Sequence, residues 1–211
     1  MPFTLDTTKK FLIGEDFHFH YFPHLHEGYI NIKNRVVKPS MILIHDNQYS
    51  MDGFRTGMQE IAKHFEIPQA VELSISHDTD KVKRNLDRII TDGYQVVLSV
   101  HTYKNTEDYL QILDENVPFF QRLGVHHLAH PFHHNKEELD NATQQRFFTI
   151  TKSNNISVEL NERYSRDYNV DFYNNIKSYC KWYPSTDAHD PKNVSIYRKL
   201  KKYSIISHED L

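Results

Sequence analysis

Seven short apolar runs, separated by stretches with helical periodicity, are the feature that most constrains the fold of this chain. The runs lie at residues 11–13, 41–44, 70–75, 95–100, 125–129, 157–160 and 182–184. They are almost continuously apolar, which is typical of parallel strands that are covered on both faces. Helical spacing is found over residues 51–65, 137–153 and 168–181, after a cap at Asp78, Thr79 or Asp80, after a cap at Thr106, and after Asp190. Pro118 is expected to break or kink the helix that Thr106 caps.

This alternation of strand and helix predicts a parallel α/β fold built as one domain over residues 1–211. No glycine-rich phosphate-binding loop follows the first run, which argues against a nucleotide-binding open sheet. Residues that can bind metal follow nearly every run instead, and a barrel gathers the carboxyl ends of its strands at one face. We therefore predict a TIM-barrel-like barrel of seven strand-helix units, with residues 21–40 as a loop over its mouth.

Composition narrows the class of function and the compartment. Lys plus Arg is 25 and Asp plus Glu is 28, and this net charge of −3 argues against a broad nucleic-acid-binding surface. Cys180 is the only cysteine, which excludes a disulfide framework and cysteine-rich zinc motifs and indicates a reducing, cytoplasmic compartment. Neither a signal peptide nor an apolar run near the roughly 20 residues of a membrane span is recognised. The 15 histidines are scattered, so ligation or packing must explain them.

Two short motifs, one near each end of the chain, pair side chains that can bind metal. His18 and His20 are separated by one residue on an expected strand, so both imidazoles point to the same side. Asp187 and His189 repeat this spacing after the last run. The alternatives are an aromatic-rich strand with two polar residues, and a helix N-cap at Asp187. Metal ligation is favoured, because two imidazoles on one side of a buried strand are hard to satisfy otherwise.

Further candidates lie in or directly after the central runs. Glu72 lies inside an apolar run, where a carboxylate is costly unless it is paired with a helix Arg or Lys or bound to metal, and it is the candidate to bridge two cations. His101 ends the run at 95–100, and His130 follows the run at 125–129, so both are expected at the carboxyl edge of a strand. The neighbours His126, His127, His133 and His134 are interpreted as exposed or outer-shell residues. Together the candidates predict a multinuclear metal site, which usually serves hydrolysis.

These motifs, in this order, resemble the PHP family, named for polymerase and histidinol phosphatase. The resemblance rests on His18-Phe19-His20, Glu72, Ser99-Val100-His101, Ala129-His130-Pro131 and Ser185-Thr186-Asp187-Ala188-His189. It implies a distorted (β/α)7 barrel with two or three divalent ions, Zn, Mn or Fe, at the strand ends. The metal ligands it implies are His18, His20, Asp46, Glu72, His101, His130, Asp187 and His189.

One motif departs from the family pattern. Where the family has Thr-Asp-His-Asn, this chain has Ile44-His45-Asp46-Asn47, so that Asp46 takes the position of the usual histidine. A one-residue shift on a regular strand would turn a side chain to the other face, so Asp46 rather than His45 is expected as the ligand. A carboxylate there would favour Mn or Fe over softer metals.

The activity implied is hydrolysis of a phosphomonoester, with histidinol phosphate as the leading substrate, by a metal-activated hydroxide. Asp187 and His189 are expected to move protons, and Arg163 or Arg166 to clamp the phosphate unless these arginines are only solvated surface charges. The partner is then a small-molecule phosphate ester, and neither nucleic acid nor a membrane is expected. The alternatives are a phosphotyrosine phosphatase, a phosphodiesterase or nuclease of the same family, and a non-catalytic metal-binding barrel. The oligomeric state is left open.

Overall fold

The computed structural model describes residues 15–34, 38–194 and 196–207 of the chain. Within these residues, seven strands form one parallel sheet in the order of the sequence. The strands are β2 (Phe19–His20), β4 (Ile42–His45), β5 (Gln69–Ser74), β6 (Gln95–Ser99), β7 (His127–Leu128), β8 (Ser157–Asn161) and β9 (Lys181–Ser185). A separate parallel pair is formed by β1 (Glu15–Asp16) and β3 (Lys38–Pro39).

Helices connect most of the strands, and side-chain caps define where several of them begin. The helices are α1 (His26–Ile30), α2 (Asp52–Phe65), α3 (Thr79–Thr91), α4 (Thr106–Arg122), α5 (Asn141–Ser153), α6 (Val170–Tyr179) and α7 (Arg198–Lys202), with 3-10 turns at Pro23–Leu25, Asn31–Asn34, Asp167–Asn169 and Pro191–Asn193. Asp78 caps α3 by accepting a hydrogen bond from the backbone N of Lys81 at 3.0 Å. Asn105, rather than the expected Thr106, caps α4 through the backbone N of Asp108 at 2.9 Å. Short polar side chains thus set helix starts at the carboxyl side of the sheet.

Both faces of the sheet are covered, as the continuous apolar runs require. On one face, Ile42 and Val71 pack in a large apolar cluster with helix residues such as Leu86. The other face carries a small apolar cluster of Met41, Leu43, Ala70, Val97 and Ala129. The parallel register places His45 opposite Glu72, so this second face becomes polar toward the carboxyl ends of the strands. The candidate site therefore lies on the concave side, above an apolar floor.

The sheet is curled but not closed into a barrel. Between its first and last strands, the described part of the chain forms only an isolated bridge, which pairs Phe19 with Ala188. The backbone N of His20 donates to Ala188 O and the backbone N of Asp187 donates to His18 O, both at 2.9 Å. A continuous ladder does not form, because β2 is two residues long and β9 ends at Ser185, before the bridge. The α/β class and the parallel sheet are confirmed, whereas the full barrel is not.

The predicted runs from 41–44 onward coincide with strands, and the ends of each run lie within two residues of the ends of its strand. The run at 11–13 lies outside the described residues, and the sheet begins instead at β2, which contains His20 itself. Helix α4 continues through Pro118, contrary to the expected break. The proline removes one hydrogen bond, to the carbonyl of Asp114, whose exposed position lets water replace it. None of the helices in the described ranges combines the length and hydropathy needed to cross a membrane.

Candidate metal centre

Glu72 occupies the middle of a cluster of imidazoles at the carboxyl ends of the strands, and it is fully buried. Its Oε1 lies 3.0 Å from His101 Nε2 and 2.7 Å from His130 Nε2. Its Oε2 lies 3.1 Å from His20 Nε2 and 3.0 Å from His45 Nδ1. Burial raises the pKa of Glu72, but the charge of His130 and hydrogen bonds from His101 and His130 outweigh burial and hold this pKa well below its usual range. An ionised carboxylate with imidazoles at both oxygens has the arrangement of a bridging ligand.

His18 and His20 converge on this carboxylate as their spacing predicts. Their Nε2 atoms are 2.9 Å apart, and His18 Nε2 lies 3.6 Å from Glu72 Oε2. On its other side, His18 Nδ1 lies 2.9 Å from Glu159 Oε1. Burial lowers the pKa of His18, but the charges and hydrogen bonds of Glu159 and Glu72 outweigh burial and raise it well above its usual range. Two imidazole nitrogens this close require a proton or a cation between them, so the pair is built to share positive charge.

Asp187 approaches the same cluster from the other end of the chain. Its Oδ1 lies 3.2 Å from His20 Nε2, and His189 Nδ1 lies 3.5 Å from that oxygen. Asp187 has a φ of +48° and His130 a φ of +27°, a region that few residues other than glycine adopt. Such backbone strain persists where the surrounding structure enforces it, and it is frequent at functional sites. Burial raises the pKa of Asp187, but the hydrogen bond from His20 and the charges of nearby histidines produce a net lowering, so Asp187 is ionised.

The donors in this cluster fit divalent cations. Among the described residues, ligand atoms within 4.8 Å of one another are found in the sets His20-His45-His189, His18-His20-Glu72 and His45-Glu72-His101. Apart from imidazole nitrogens at 3.0–3.2 Å, the buried atoms Glu72 Oε2 and Asp187 Oδ1 have no hydrogen-bond partner in the described ranges, which is costly unless a cation is near. Imidazole and carboxylate together suit Zn, Mn and Fe. The prediction that buried His and Glu side chains lie close enough together to bind metal is therefore confirmed, whereas metal binding itself and the identity and number of the ions remain predictions.

Glu159, on β8, supports the cluster from behind. Its Oε1 accepts hydrogen bonds from His18 Nδ1 at 2.9 Å and from Ser185 Oγ, and its Oε2 accepts from Asn161 Nδ2 at 2.9 Å and from the backbone N of His130. Because His18 donates from Nδ1 to Glu159, Nε2 is the ring nitrogen that faces the cluster, and a metal that displaces its proton could bind there. The sequence indicated only a strand here, since a bond between residues 141 positions apart leaves no local signal.

Asp16 ties together the two terminal motifs in a similar way. Its fully buried carboxylate accepts hydrogen bonds from the backbone N of Thr186 at 3.1 Å, from Thr186 Oγ1 and from the backbone N of His18 at 3.3 Å. These contacts hold the first and last motifs side by side where the sheet is open. Asp16 was not predicted as a site residue, and the only hint of its role in the sequence is its place two residues before His18.

His45 is turned toward the cluster. His45 is the last residue of β4 and pairs with Glu72 in the register, so the two side chains share a face. Its ring stacks on that of His20 with 4.1 Å between centroids. Asp46 lies in the turn after the strand and belongs to none of the ligand sets in the described ranges. The register with Glu72 thus turns His45 inward, which the sequence did not predict, and the assignment of Asp46 as a ligand stays a prediction.

Arg163 reaches the cluster and Arg166 does not. Arg163 Nη1 lies 3.6 Å from Asp187 Oδ2 and 2.6 and 3.2 Å from the two ring nitrogens of His189. Arg166 Nη1 instead donates to the backbone carbonyls of Arg163 at 2.9 Å and Ser165 at 2.8 Å. Of the two arginines that the sequence left open, Arg163 is therefore the one placed to meet an anion at the cluster.

Two further histidines near the His130-Pro131 turn, His133 and His127, lie in different surroundings. His133 packs its ring 4.6 Å from that of His130 and 5.6 Å from that of His101. Burial and the charge of His130 lower the pKa of His133 to about 2, so it lines the cluster as a neutral ring. His127 points to the floor of the sheet, where its ring lies 5.6 Å from that of Tyr183. His133 thus has an outer-shell position, as expected, while His127 is a buried core residue.

The other residues selected from the sequence meet in one place. The shared cluster contains His18, His20, Glu72, His101, His130, Asp187 and His189. Asp190 caps the 3-10 turn that follows, so Asp187 is not needed as the N-cap. A scan against protein-family models finds no match, and a search of curated proteins finds no relative. The PHP resemblance therefore rests on the motifs themselves.

Proposed function

We propose that this protein is a metal-dependent phosphoesterase that hydrolyses a phosphomonoester. The observation that carries the proposal is the carboxylate of Glu72, whose two oxygens each face two imidazole nitrogens at 2.7–3.1 Å. A carboxylate in this position can bridge two cations, and paired cations are a common device for in-line displacement at phosphorus. The motif resemblance to the PHP family supports the same chemistry, together with the finer fold of a distorted (β/α)7 barrel.

The side chains around Glu72 divide into ligand sets. We expect His18, His20 and Asp187 to serve one ion, His101 and His130 a second, and His45 and His189 a third, with Glu72 between them. We expect two or three Zn, Mn or Fe ions. When bound, such ions lower the pKa of a water and neutralise charge on phosphate oxygens.

Side chains at the open side of the cluster are placed to position the phosphate ester. Arg163 is 46% exposed and can donate two parallel hydrogen bonds to phosphate oxygens. His189 lies between Arg163 and Asp187, where it can pass a proton to the departing alkoxide when its ring is not bound to the third ion. Asp187, as an ionised ligand, holds His20 in place and orients His189. Glu159 and Asp16 fix the backbone and rings behind these groups.

The proposed substrate is a small phosphate monoester, and the resemblance makes histidinol phosphate the first candidate. A phosphotyrosine peptide and a phosphodiester are the rivals within the same chemistry. Comparing an aryl phosphomonoester with the corresponding diester separates the last of these from the others. A preference for the diester would favour a nuclease or phosphodiesterase.

The test is to strip the purified protein of metal and reload it with Mn, Zn, Fe(II) or Co before assaying a generic aryl phosphate from neutral to alkaline pH. Turnover is expected with at least one metal, and it should be lost in Glu72→Gln. His24→Ala is the matched control, since His24 is exposed and outside the ligand sets found among the described residues. Stable binding of metal without turnover on any phosphate ester would instead support a non-catalytic metal-binding protein.

A further inference from the structure

A cleft of about 430 Å³ opens directly beside the cluster. Its lining includes Arg163, Asp187 and His189, which are shared with the candidate metal centre, and Arg198 and Lys199 from the start of α7. A phosphate held by Arg163 would therefore have its ester group directed into a space walled by further cations. The charge of this wall decides which leaving groups fit.

The carboxylates that also line the cleft are already engaged. Glu162 is buried, and its two oxygens accept hydrogen bonds from the backbone N of Lys199 at 2.7 Å and of Leu200 at 2.9 Å. Asp190 Oδ2 lies 2.9 Å from Lys192 Nζ. Asp187 is turned toward the histidines. None of these oxygens is directed at the cations of α7.

The side-chain cations of α7 are not held in ion pairs of this kind. Neither Arg198 nor Lys199 has a carboxylate at ion-pair distance in the part of the chain that the structure describes. Lys199 Nζ donates to the backbone carbonyl of Arg163 at 2.9 Å, which brings a second positive side chain next to that arginine. Partial burial and the charges of Arg166 and Arg163 lower the pKa of Lys199, and the nearby charge of Glu162 offsets this only in part. An anion placed between them would relieve this repulsion.

We propose that the cleft receives a leaving group that carries a second anionic group, a carboxylate or a phosphate, which Arg198 and Lys199 bind. This inference rests on the proposed phosphomonoesterase function and specifies its substrate class. A leaving group with an ammonium, as in histidinol, would meet like charge there, so the cleft argues against histidinol phosphate, the candidate that comes from the motif resemblance alone. The scissile phosphate stays with Arg163 and the metal ligands.

The test uses phosphonates, which bind without being hydrolysed, on protein loaded with the metal that supports turnover. Calorimetry compares propylphosphonate with its 3-amino, 3-carboxylate and 3-phosphonate derivatives, and the same series with one carbon more. We expect the anionic probes to bind about three- to tenfold more tightly than propylphosphonate, and the amine to bind more weakly. This range corresponds to the small energy of an ion pair with cations that are partly exposed to water. The carboxylate and phosphonate arms show which anion is preferred.

Variants assign the effect to the cleft. Arg198→Gln and Lys199→Gln should each reduce the preference for anionic probes while leaving propylphosphonate affinity within twofold. Lys201→Gln is the matched control. Lys201 is exposed on the same helix and does not line the cleft, so its substitution removes the same charge from a place outside the proposed site. Equal affinity for neutral and anionic probes at both chain lengths would overturn the inference, and so would an equal loss in all three variants. If propylphosphonate itself fails to bind, the proposed function fails rather than only its substrate class.

Discussion

Replacing Glu159 by glutamine tests whether a carboxylate behind the cluster keeps His18 ready to bind metal. Glutamine preserves the shape but turns one acceptor oxygen into an NH₂ donor. If that NH₂ replaces Oε2, it meets the N–H groups of Asn161 and His130. If it replaces Oε1, it meets Ser185, whose hydroxyl can rotate to accept, and His18, whose imidazole can change tautomer. The second orientation costs less and is the one expected.

In that orientation His18 accepts a hydrogen bond at Nδ1 and carries its proton on Nε2, the atom that lies 2.9 Å from His20 Nε2. A protonated Nε2 cannot ligate a metal, so metal binding has to reverse the tautomer. Loss of an outer hydrogen-bond partner of a metal ligand typically lowers metal affinity about 10- to 100-fold. The lost charge-assisted bond should also reduce the free energy of unfolding by about 1.5–3 kcal/mol.

Two measurements separate these effects. Competition with a chromophoric chelator at neutral pH gives the zinc affinity, and urea unfolding of the metal-free protein gives the free energy of unfolding. Glu162→Gln is the control, because Glu162 is also a buried carboxylate that accepts two hydrogen bonds, but from the backbone of α7 and outside the ligand sets of the described residues. It should lose similar stability and keep its zinc affinity.

Zinc binding by Glu159→Gln within twofold of the wild type would refute a role for the Glu159 carboxylate in preparing His18 to bind metal. An equal loss of zinc affinity in Glu162→Gln would refute it as well, since that result would indicate general loosening of the fold. Nitrogen NMR of the histidine rings supplies an independent reading, because the tautomer of His18 should change only in Glu159→Gln.

Three other perturbations test separate parts of the structure. Glu72→Gln should abolish stoichiometric metal binding, and elemental analysis after dialysis would contradict the bridging role if the variant retained the wild-type metal content. Leu86→Ala should lower the free energy of unfolding by about 2–5 kcal/mol in urea, because Leu86 is fully buried between α3 and the sheet; a loss below about 1 kcal/mol would argue against that packing. His77 lies 2.8 Å from Glu115 and 3.1 Å from Asp108, whose hydrogen bonds raise its pKa. The stabilisation from this exposed group is full below about pH 6.5, is lost as pH rises through the raised folded-state pKa, and is below about 1 kcal/mol. Urea unfolding of His77→Gln should therefore differ from the wild type at pH 5.5 and coincide with it at pH 9, and a difference independent of pH would contradict this.

Much of the cluster could be identified from the sequence because its signals are local. Side chains two residues apart on a strand share a face, which places His18 with His20. Residues at the carboxyl ends of parallel strands meet at one edge, which brings His101 and His130 to Glu72. Neither argument requires knowing which strands are neighbours. The convergence of these residues follows from the fold class and the spacing alone.

The choices that stayed open depended on register and on distant partners. His45 faces the cluster because it pairs with Glu72, and the sequence of either strand says nothing about that alignment. Arg163 and Arg166 lie in one loop with similar surroundings in sequence, and only the carbonyls that Arg166 meets remove it from the site.

The chain by itself therefore determined the alternation of strands and helices, the α/β class and most of the candidate metal ligands, since hydrophobic periodicity and strand alternation act over a few residues. The tertiary structure alone decided that the curled sheet stays open, that His45 faces Glu72, and that Glu159 and Asp16 hold the terminal motifs together. The physical reason is that hydrogen bonds and strand register join residues far apart in sequence, and their geometry exists only once the backbone has been placed.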